Sequence, residues 1–268
     1  MRFELHCHST CSDGTETPER VAARAAERAV EVFALTDHDT CAGSALTVVP
    51  NARVLRAVEI SCDHKGRTIH VLAFDRGNAG WAALEERITT VRLARVNRIR
   101  VMAARLEARG VRLDVESLIA DGVERSIGRP DLARLMVATG HASSMKDAFA
   151  RHLFDGGPVD VPNKALSMAD AIAAGRDAGA AMALAHPHLY DSLSFEMVRE
   201  YELGGIEAFY GRYDARERKR WIELADDRGL VCTGGSDWHS PDEPEGSSVQ
   251  VGVDLPADRS DALLRWLT

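Results

Sequence analysis

Short apolar segments that carry or run into a histidine or an acid recur along the whole chain, and this restricts the fold more than any other feature. "RFELHC" leads to His6 and His8, "VFALTDHD" ends in Asp37, His38 and Asp39, "VLRAVEIS" carries Glu59 and "TIHVLAF" carries His70. Far downstream, "AAMALAH" leads into His186 and His188, and "LVCTGG" leads to Asp237 and His239. Helical patterns separate several of these runs. Thr17 and Pro18 open one as N-cap and first helical residue, Ser167 and Asp170 form a capping pair before a second, and "DARERKRWIELADDRG" supplies a third. Strand–helix repetition of this kind predicts an α/β fold with parallel strands, barrel-like or open. In such folds the carboxyl ends of the strands line one rim, where residues distant in sequence converge.

Between about residues 80 and 160 the alternation stops. "WAALEERITTVRLARVNRIRVMAARLEARG" reads as one long helix, with Leu84, Ile88, Val91, Ile99, Met102 and Leu106 near a 3.6-residue period and Gly110 as its stop. Shorter helical patterns follow at about 114–121, 129–139 and 143–153. This all-helical stretch reads as an insertion into the β/α frame.

Taken singly, each polar residue at a strand end has an ordinary explanation. A buried histidine satisfies a hydrogen bond, Asp37 or Asp39 caps the next helix, Glu59 faces solvent, and His70 sits in the core. A whole series of strand ends carrying such groups is not explained by independent caps. Gathering so many ionisable groups costs on the order of several kcal/mol each unless something compensates, and divalent metal ions do so. Alternation along the first strand places Cys7 with Phe3 and Leu5, away from His6 and His8, so thiolate drops out of the donor set. Imidazole and carboxylate without thiolate suit Mn2+ foremost, with Zn2+ and Fe2+ also accommodated, rather than a cysteine-type zinc site or an all-oxygen Ca2+ site. The donors exceed the needs of one ion. Two or three ions, some bridged by a carboxylate, fit better, and clustered divalent ions suit phosphoryl hydrolysis.

The bulk properties are compatible with this. The chain has 268 residues, 45% of them hydrophobic and 28% charged, which is the composition of a globular enzyme. No stretch approaches the ~20 apolar residues of a membrane helix, and the opening residues lack the apolar region of a signal peptide, so the expected address is cytoplasmic with no membrane contact. Five cysteines without a C-x-x-C pair read as reduced thiols. A net charge of −8 argues against a broad basic surface for nucleic acid while leaving room for a locally basic pocket.

"HCHSTCSDG", "ALTDHDT", "AVEIS", "IHVLAF", "LAHP" and "GGSDWH", in this order, resemble the motifs of the polymerase-and-histidinol-phosphatase (PHP) family of metal-dependent phosphoesterases, over residues 1–75 and about 165–240. The resemblance implies an α/β fold, a distorted (β/α)7 barrel with an all-helical insertion. Residues 1–79 and 161–268 would form the PHP metal-binding barrel, and 80–160 the insertion, placed as a substrate lid. It implies His6, His8, Glu59 and Asp237 at one ion, Asp13, His38 and His239 at a second, and Glu59, His70 and His186 at a third. No ligand position is missing, so an active enzyme is expected.

"SIGRPDLARLMV" resembles the Gly-Arg-Pro-x-x-x-Arg element of the branch that includes nucleoside 3',5'-bisphosphate phosphatases and 5'-to-3' exoribonucleases, with Asp131 where that branch more usually has histidine. The function this implies is release of the 3'-phosphate from a nucleoside 3',5'-bisphosphate. The expected partner is a nucleotide, or short RNA in the alternative reading, with no obligate protein partner. Residues 87–112 hold eight arginines against one acid, Glu107. Most read as a solvated helix face. Arg129 and Arg134, at the start of a helix, suit the remote phosphate better, with Lys164 a third candidate. Asp13 and His38 belong to the expected catalytic centre. The leaving 3'-oxygen needs a general acid, for which His188, Asp37 and a metal-bound water are the candidates; Asp37 also reads as an orienter of a ligand imidazole. The rivals are a zinc amidohydrolase, which opens on the same His-x-His but usually ends on a lone aspartate, and a module whose metals only stabilise it.

Overall fold

The computed structural model describes residues 1–120, 124–241 and 249–268. The first half of the chain forms β1 (Arg2–Glu4), α1 (Pro18–Glu27), β2 (Val32–Leu35), α2 (Ala42–Leu46), β3 (Arg53–His64) and β4 (Arg67–Phe74), followed by helices α3 (Trp81–Glu107), α4 (Val115–Ala120), α5 (Arg129–Ala138) and α6 (Met145–Ala148). Strands then resume with β5 (Leu166–Ser167), α7 (Met168–Asp177), β6 (Ala181–Leu184), α8 (Ser192–Glu200), β7 (Gly205–Tyr210), α9 (Ala215–Arg228), β8 (Val231–Gly235), β9 (Val253–Asp254) and α10 (Ala257–Trp266). The expected caps are formed. Thr17 accepts from the backbone N–H of Arg20 at 3.4 Å, Ser167 from that of Asp170 at 3.1 Å, and Asp214 from that of Glu217 at 2.7 Å.

The strands form one sheet in the order β8-β7-β6-β4-β3-β2-β1-β9, with β5 added beside β3. Its two ends nearly meet, giving a distorted barrel. Leu5 N–H donates to Gly234 O at 3.2 Å, Asp237 N–H to His6 O at 2.6 Å and His8 N–H to Trp238 O at 2.8 Å, joining the end of β1 to the end of β8. Regular pairing of β1 stops at Glu4, and the rest of the expected first strand forms this seam.

The expectation of parallel strands holds for β1–β2, β2–β3, β6–β7 and β7–β8, but β4 runs antiparallel to both β3 and β6. Only Lys65 and Gly66 separate β3 from β4, at φ of 53° and 80°, and a two-residue turn of positive φ makes a tight hairpin where a helical crossover cannot fit. Because β4 leaves the rim instead of approaching it, its amino-terminal half lies at the rim, with His70 opposite Ser61.

One apolar cluster fills the space between the barrel and its helices, with Phe3, Ile60, Phe74 and Trp221 among its members. A smaller one, around Cys7, Phe33, Leu35 and Val21, lies under the first strands. A third is confined to the helical stretch and includes Ile99, Met102, Leu106, Leu132, Met136 and Leu153. The long helix joins two of them: Trp81, Leu84 and Ile88 pack in the barrel core, while Ile99, Met102 and Leu106 pack among the helices. The helix expected over 143–153 is α-helical only through α6 and then widens into one π-helical turn, Phe149–Leu153. The pattern at 114–121 is α4, with residue 121 outside the described residues. Among the described residues no helix is long and apolar enough to cross a membrane.

Candidate metal centre

The rim of the barrel gathers every residue expected to hold metal. Glu59 stands at the middle, fully buried, with His38 Nδ1 at 2.9 Å, His186 Nε2 at 3.0 Å, His70 Nδ1 at 3.1 Å, His8 Nε2 at 3.2 Å and His6 Nε2 at 3.3 Å from its carboxylate. Asp237 Oδ1 lies 3.3 Å from His6 Nε2 and 3.2 Å from His8 Nε2, and Asp13 Oδ1 lies 3.2 Å from His239 Nε2. Donor atoms converge within 4.8 Å in four overlapping groups: His8 with Asp13, His38 and His239; His6 with His8 and Asp237; His6 with Glu59 and His186; and His38 with Glu59 and His70. The resemblance assigned His8 to one ion alone, whereas its ring also stacks on that of His239 at 4.1 Å and faces Asp13.

The donor chemistry fits divalent ions. His6 Nε2, His8 Nε2, His38 Nδ1 and Glu59 Oε2 are buried and make no hydrogen bond, although carboxylate or imidazole atoms lie close by. Two donors about 2.1 Å from a shared ion stand roughly 3.0–3.4 Å apart at octahedral or tetrahedral angles, which is the spacing found here. Burial disfavours charge at Glu59, yet His38, His70 and His6 outweigh it and hold the carboxyl well below its usual range. Burial likewise opposes charge on His8, but the carboxylates of Asp237 and Glu59 facing its Nε2 raise it to about 10. His38 goes the other way, lowered by burial despite Glu59 and Asp13.

Outer contacts aim these rings. His6 Nδ1 faces the Glu207 carboxylate at 3.0 and 3.1 Å, and the same carboxylate accepts from the His186 backbone N–H at 2.8 Å. His239 Nδ1 faces the carbonyl of Asp237 at 2.9 Å. The Tyr190 hydroxyl touches His186 Nδ1 at 3.2 Å and accepts from the His70 N–H at 2.9 Å. Asp37 reaches a ring only through an intermediary: it accepts from the hydroxyls of Ser9 and Ser12 at 2.7 and 2.6 Å, and Ser12 Oγ lies 3.3 Å from His8 Nδ1. A nitrogen committed to an outer partner leaves the other one free for a metal. Asp39, His186 and Asp237, all just past strand ends, have φ of 52°, 27° and 53°, a strained backbone of the kind that concentrates at functional sites. Gly235 allows the seam to close, since a Cβ there would lie 2.4 Å from the backbone nitrogen of His6.

A cavity of about 890 Å3 opens over the cluster. Asp13, His38, His70 and His186 line its floor, and Arg95, Arg98, Arg129 and Phe149 line the helical side. Of the residues expected to bind phosphate, Arg129 lines this cavity, paired with Asp155 and over the Phe149 ring at 6.0 Å. Arg134 turns onto the backbone carbonyl of Asp13 and onto Asp131, and Lys164 is exposed; neither is among the lining residues. Asp131 is buried and accepts from the N–H of Gly128 at 2.8 Å and from Arg125. His188 sits beside Tyr213, its Nδ1 3.0 Å from the hydroxyl, with its pKa lowered by burial and by His186. Neither His188 nor Asp37 is among the lining residues.

Arg95 and Arg98 escaped the sequence reading, which took most of the arginine run for a solvated face. Arg95 donates to Asp39 at 2.7 Å and to Ser61 Oγ at 2.6 Å, and Arg98 to Val161 O at 2.5 Å and Asp160 at 3.3 Å. The available signal was register: Arg95 falls on the apolar stripe of Ile88, Val91, Ile99 and Met102. Glu207 was missed as well, and its signal was an acid in the middle of the apolar strand "GIEAFY".

Comparison with known proteins bears on the whole chain. The PHP domain matches residues 4–98. A 3',5'-nucleoside bisphosphate phosphatase of Chromobacterium violaceum is 34% identical over 95% of this chain and 92% of its own. A phosphoribosyl 1,2-cyclic phosphate 1,2-diphosphodiesterase of Eggerthella lenta is 33% identical over 96% of this chain and all of its own, 100%. The 5'-3' exoribonuclease Rnm of Escherichia coli is 30% identical over 89% of this chain and 85% of its own. A solved structure from Bifidobacterium adolescentis, described as a metal-dependent phosphoesterase, superposes with a TM-score of 0.79 at 27% identity, over 98% of this chain and 96% of its own.

Proposed function

The chain belongs to the PHP family and is a metal-dependent phosphoesterase, and on that premise we propose that it hydrolyses the 3'-phosphate of nucleoside 3',5'-bisphosphates to give a nucleoside 5'-monophosphate and phosphate. One observation carries the reading: a single cavity has four of the cluster's donors on its floor and three arginines on its helical side. Burial lowers the pKa of Arg98, and repulsion from Arg129 and Arg95 lowers it further, a crowding of guanidinium groups that a second phosphate between them would relieve.

His6, His8, Asp13, His38, Glu59, His70, His186, Asp237 and His239 would hold two or three divalent ions, manganese being the best match to these donors. Ions bound there supply an acidified water and charge neutralisation at the phosphoryl oxygens. The chain's own residues do the positioning. Arg95, Arg98 and Arg129 grip the remote 5'-phosphate, making it a handle that sets the 3'-phosphate over the cluster. Phe149 offers a ring face to the base, and the helices between residues 80 and 160 act as the lid that carries both.

The test is phosphate release from adenosine 3',5'-bisphosphate with Mn2+, compared with adenosine 3'-monophosphate, which keeps the phosphate to be cleaved and lacks the handle. The bisphosphate is expected to turn over at least about 100-fold faster, the scale on which remote binding energy is used in catalysis. Equal rates would remove the handle from the mechanism. A second reading, removal of nucleotides from the 5' end of short RNA, draws on the cavity's size. At about 890 Å3 it is near the top of the ~300–1,000 Å3 range of small-molecule pockets and has room beyond one nucleotide. A ladder of 5'-phosphorylated oligonucleotides separates the two readings, since only the second predicts stepwise shortening.

A further inference from the structure

A separate group of metal-type donors lies at the far end of β3, outside the catalytic cluster. His64 closes that strand, its side chain 2% exposed. Its Nδ1 lies 3.1 Å from the Tyr201 hydroxyl. In the tautomer whose Nδ1–H donates to that hydroxyl, His64 Nε2 presents a bare lone pair. That nitrogen is buried without a hydrogen-bond partner and faces Glu196 Oε1 at 3.7 Å. A lone pair opposed to a carboxylate oxygen is repulsive unless a cation stands between them.

We propose that His64, Glu196 and Glu200 form a divalent-cation site suited to zinc, which staples the β3–β4 hairpin to α8. One donor atom from each residue lies within 4.8 Å of the others. Glu196 and Glu200 are four residues apart on α8 and therefore share a helix face, while His64 comes from the strand opposite. Imidazole nitrogen and carboxylate oxygen are both zinc donors, and three of them leave a fourth position for water. The competing cation is Lys65, whose ammonium contacts Glu196. Its side chain is 60% exposed on a flexible stem, so a divalent ion displaces it at little cost. The turn that the ion would hold is part of the substrate cavity, since Asp63, Gly66, Arg67 and Thr68 line its edge. The site would therefore stiffen the rim without touching the reacting groups.

The experiment uses the full chain, stripped with a chelator and dialysed against a series of free Zn2+ concentrations, with bound zinc counted by elemental analysis. Wild type is expected to bind one equivalent more than His64→Gln or Glu200→Gln at saturation. Lys65→Met, a surface change, is expected to tighten that extra equivalent severalfold. Hydrogen exchange over residues 62–70 is expected to slow with zinc in wild type and not in His64→Gln. Equal zinc counts in wild type, His64→Gln and Lys65→Met would overturn the proposal. So would an NMR signal showing His64 doubly protonated and indifferent to zinc, which would mean an ordinary imidazolium–glutamate pair.

Discussion

Glu207 accepts from the Nδ1 of one cluster histidine and from the backbone of another, so a single carboxylate fixes both the tautomer of His6 and the strained backbone at His186. Loss of such an outer carboxylate typically costs 10–100-fold in metal affinity. Glu207→Gln is therefore expected to weaken Mn2+ binding by about that factor in a calorimetric titration, and kcat is expected to recover at saturating metal. An unchanged affinity would mean that the contact serves only packing. The histidines and Glu59 were legible because each stands out at the end of an apolar run. Glu207, Arg95 and Ser12 were not, because their meaning lies in partners 201, 56 and 25 residues away along the chain. Asp37, read as an orienter of a ligand imidazole, faces His8 through the Ser12 hydroxyl.

At the scale of elements, α3 and the hairpin carry the information that periodicity alone could not. Arg95 links α3 to Asp39 and Ser61, each two or fewer residues from a cluster ligand, so it both holds the helix to the rim and faces the cavity. Arg95→Met is expected to raise KM for a nucleoside bisphosphate by at least about tenfold, the scale of a lost charge-assisted hydrogen bond, with little change for a simple phosphomonoester such as p-nitrophenyl phosphate. A parallel loss on both substrates would assign Arg95 to the metal centre instead. Leu132 is fully buried in the separate helical core, and Leu132→Ala is expected to cost about 2–5 kcal/mol, read as a drop in unfolding midpoint. Helix positions and caps could be read from the sequence. The reversal of β4 could not, because the apolar runs at 54–61 and 68–74 leave six residues between them, whereas the strands extend until only Lys65 and Gly66 remain.

For the whole molecule, the charges of the centre tie folding to pH. Neighbouring carboxylates raise His8 to about 10 from its ordinary 6.5, and they raise His6 and His239 as well, against burial. Raised histidines stabilise the chelated protein fully below the ordinary value, and that contribution is lost as pH climbs toward 10. Metal must displace the same protons, so its affinity is expected to rise with pH, by about tenfold per unit for each proton released. The unfolding midpoint of chelated protein should therefore fall between neutral pH and pH 10 while metal-loaded protein holds or gains, a divergence that calorimetry would detect. Parallel curves would show that the ions do not bind at these histidines. The barrel as a whole was legible from the strand–helix alternation and the motif order. The seam that closes it was not, since residues 5–8 meet the end of β8 and residues 236–238 beyond it without forming a regular strand of their own.

The long helix has one end packed in the barrel and the other among the helices that follow it. A helix of 27 residues spans about 40 Å, and the part beyond Ile88 about 29 Å. Such a rod acts as a lever with its fulcrum near Arg95: the roughly 18 Å from there to Glu107 turns a tilt of about 10° into about 3 Å at Glu107. Substrate could then be admitted by a rocking motion that leaves both apolar cores intact, and spin labels near Glu107 and on the barrel wall would report it as a distance change when nucleotide binds.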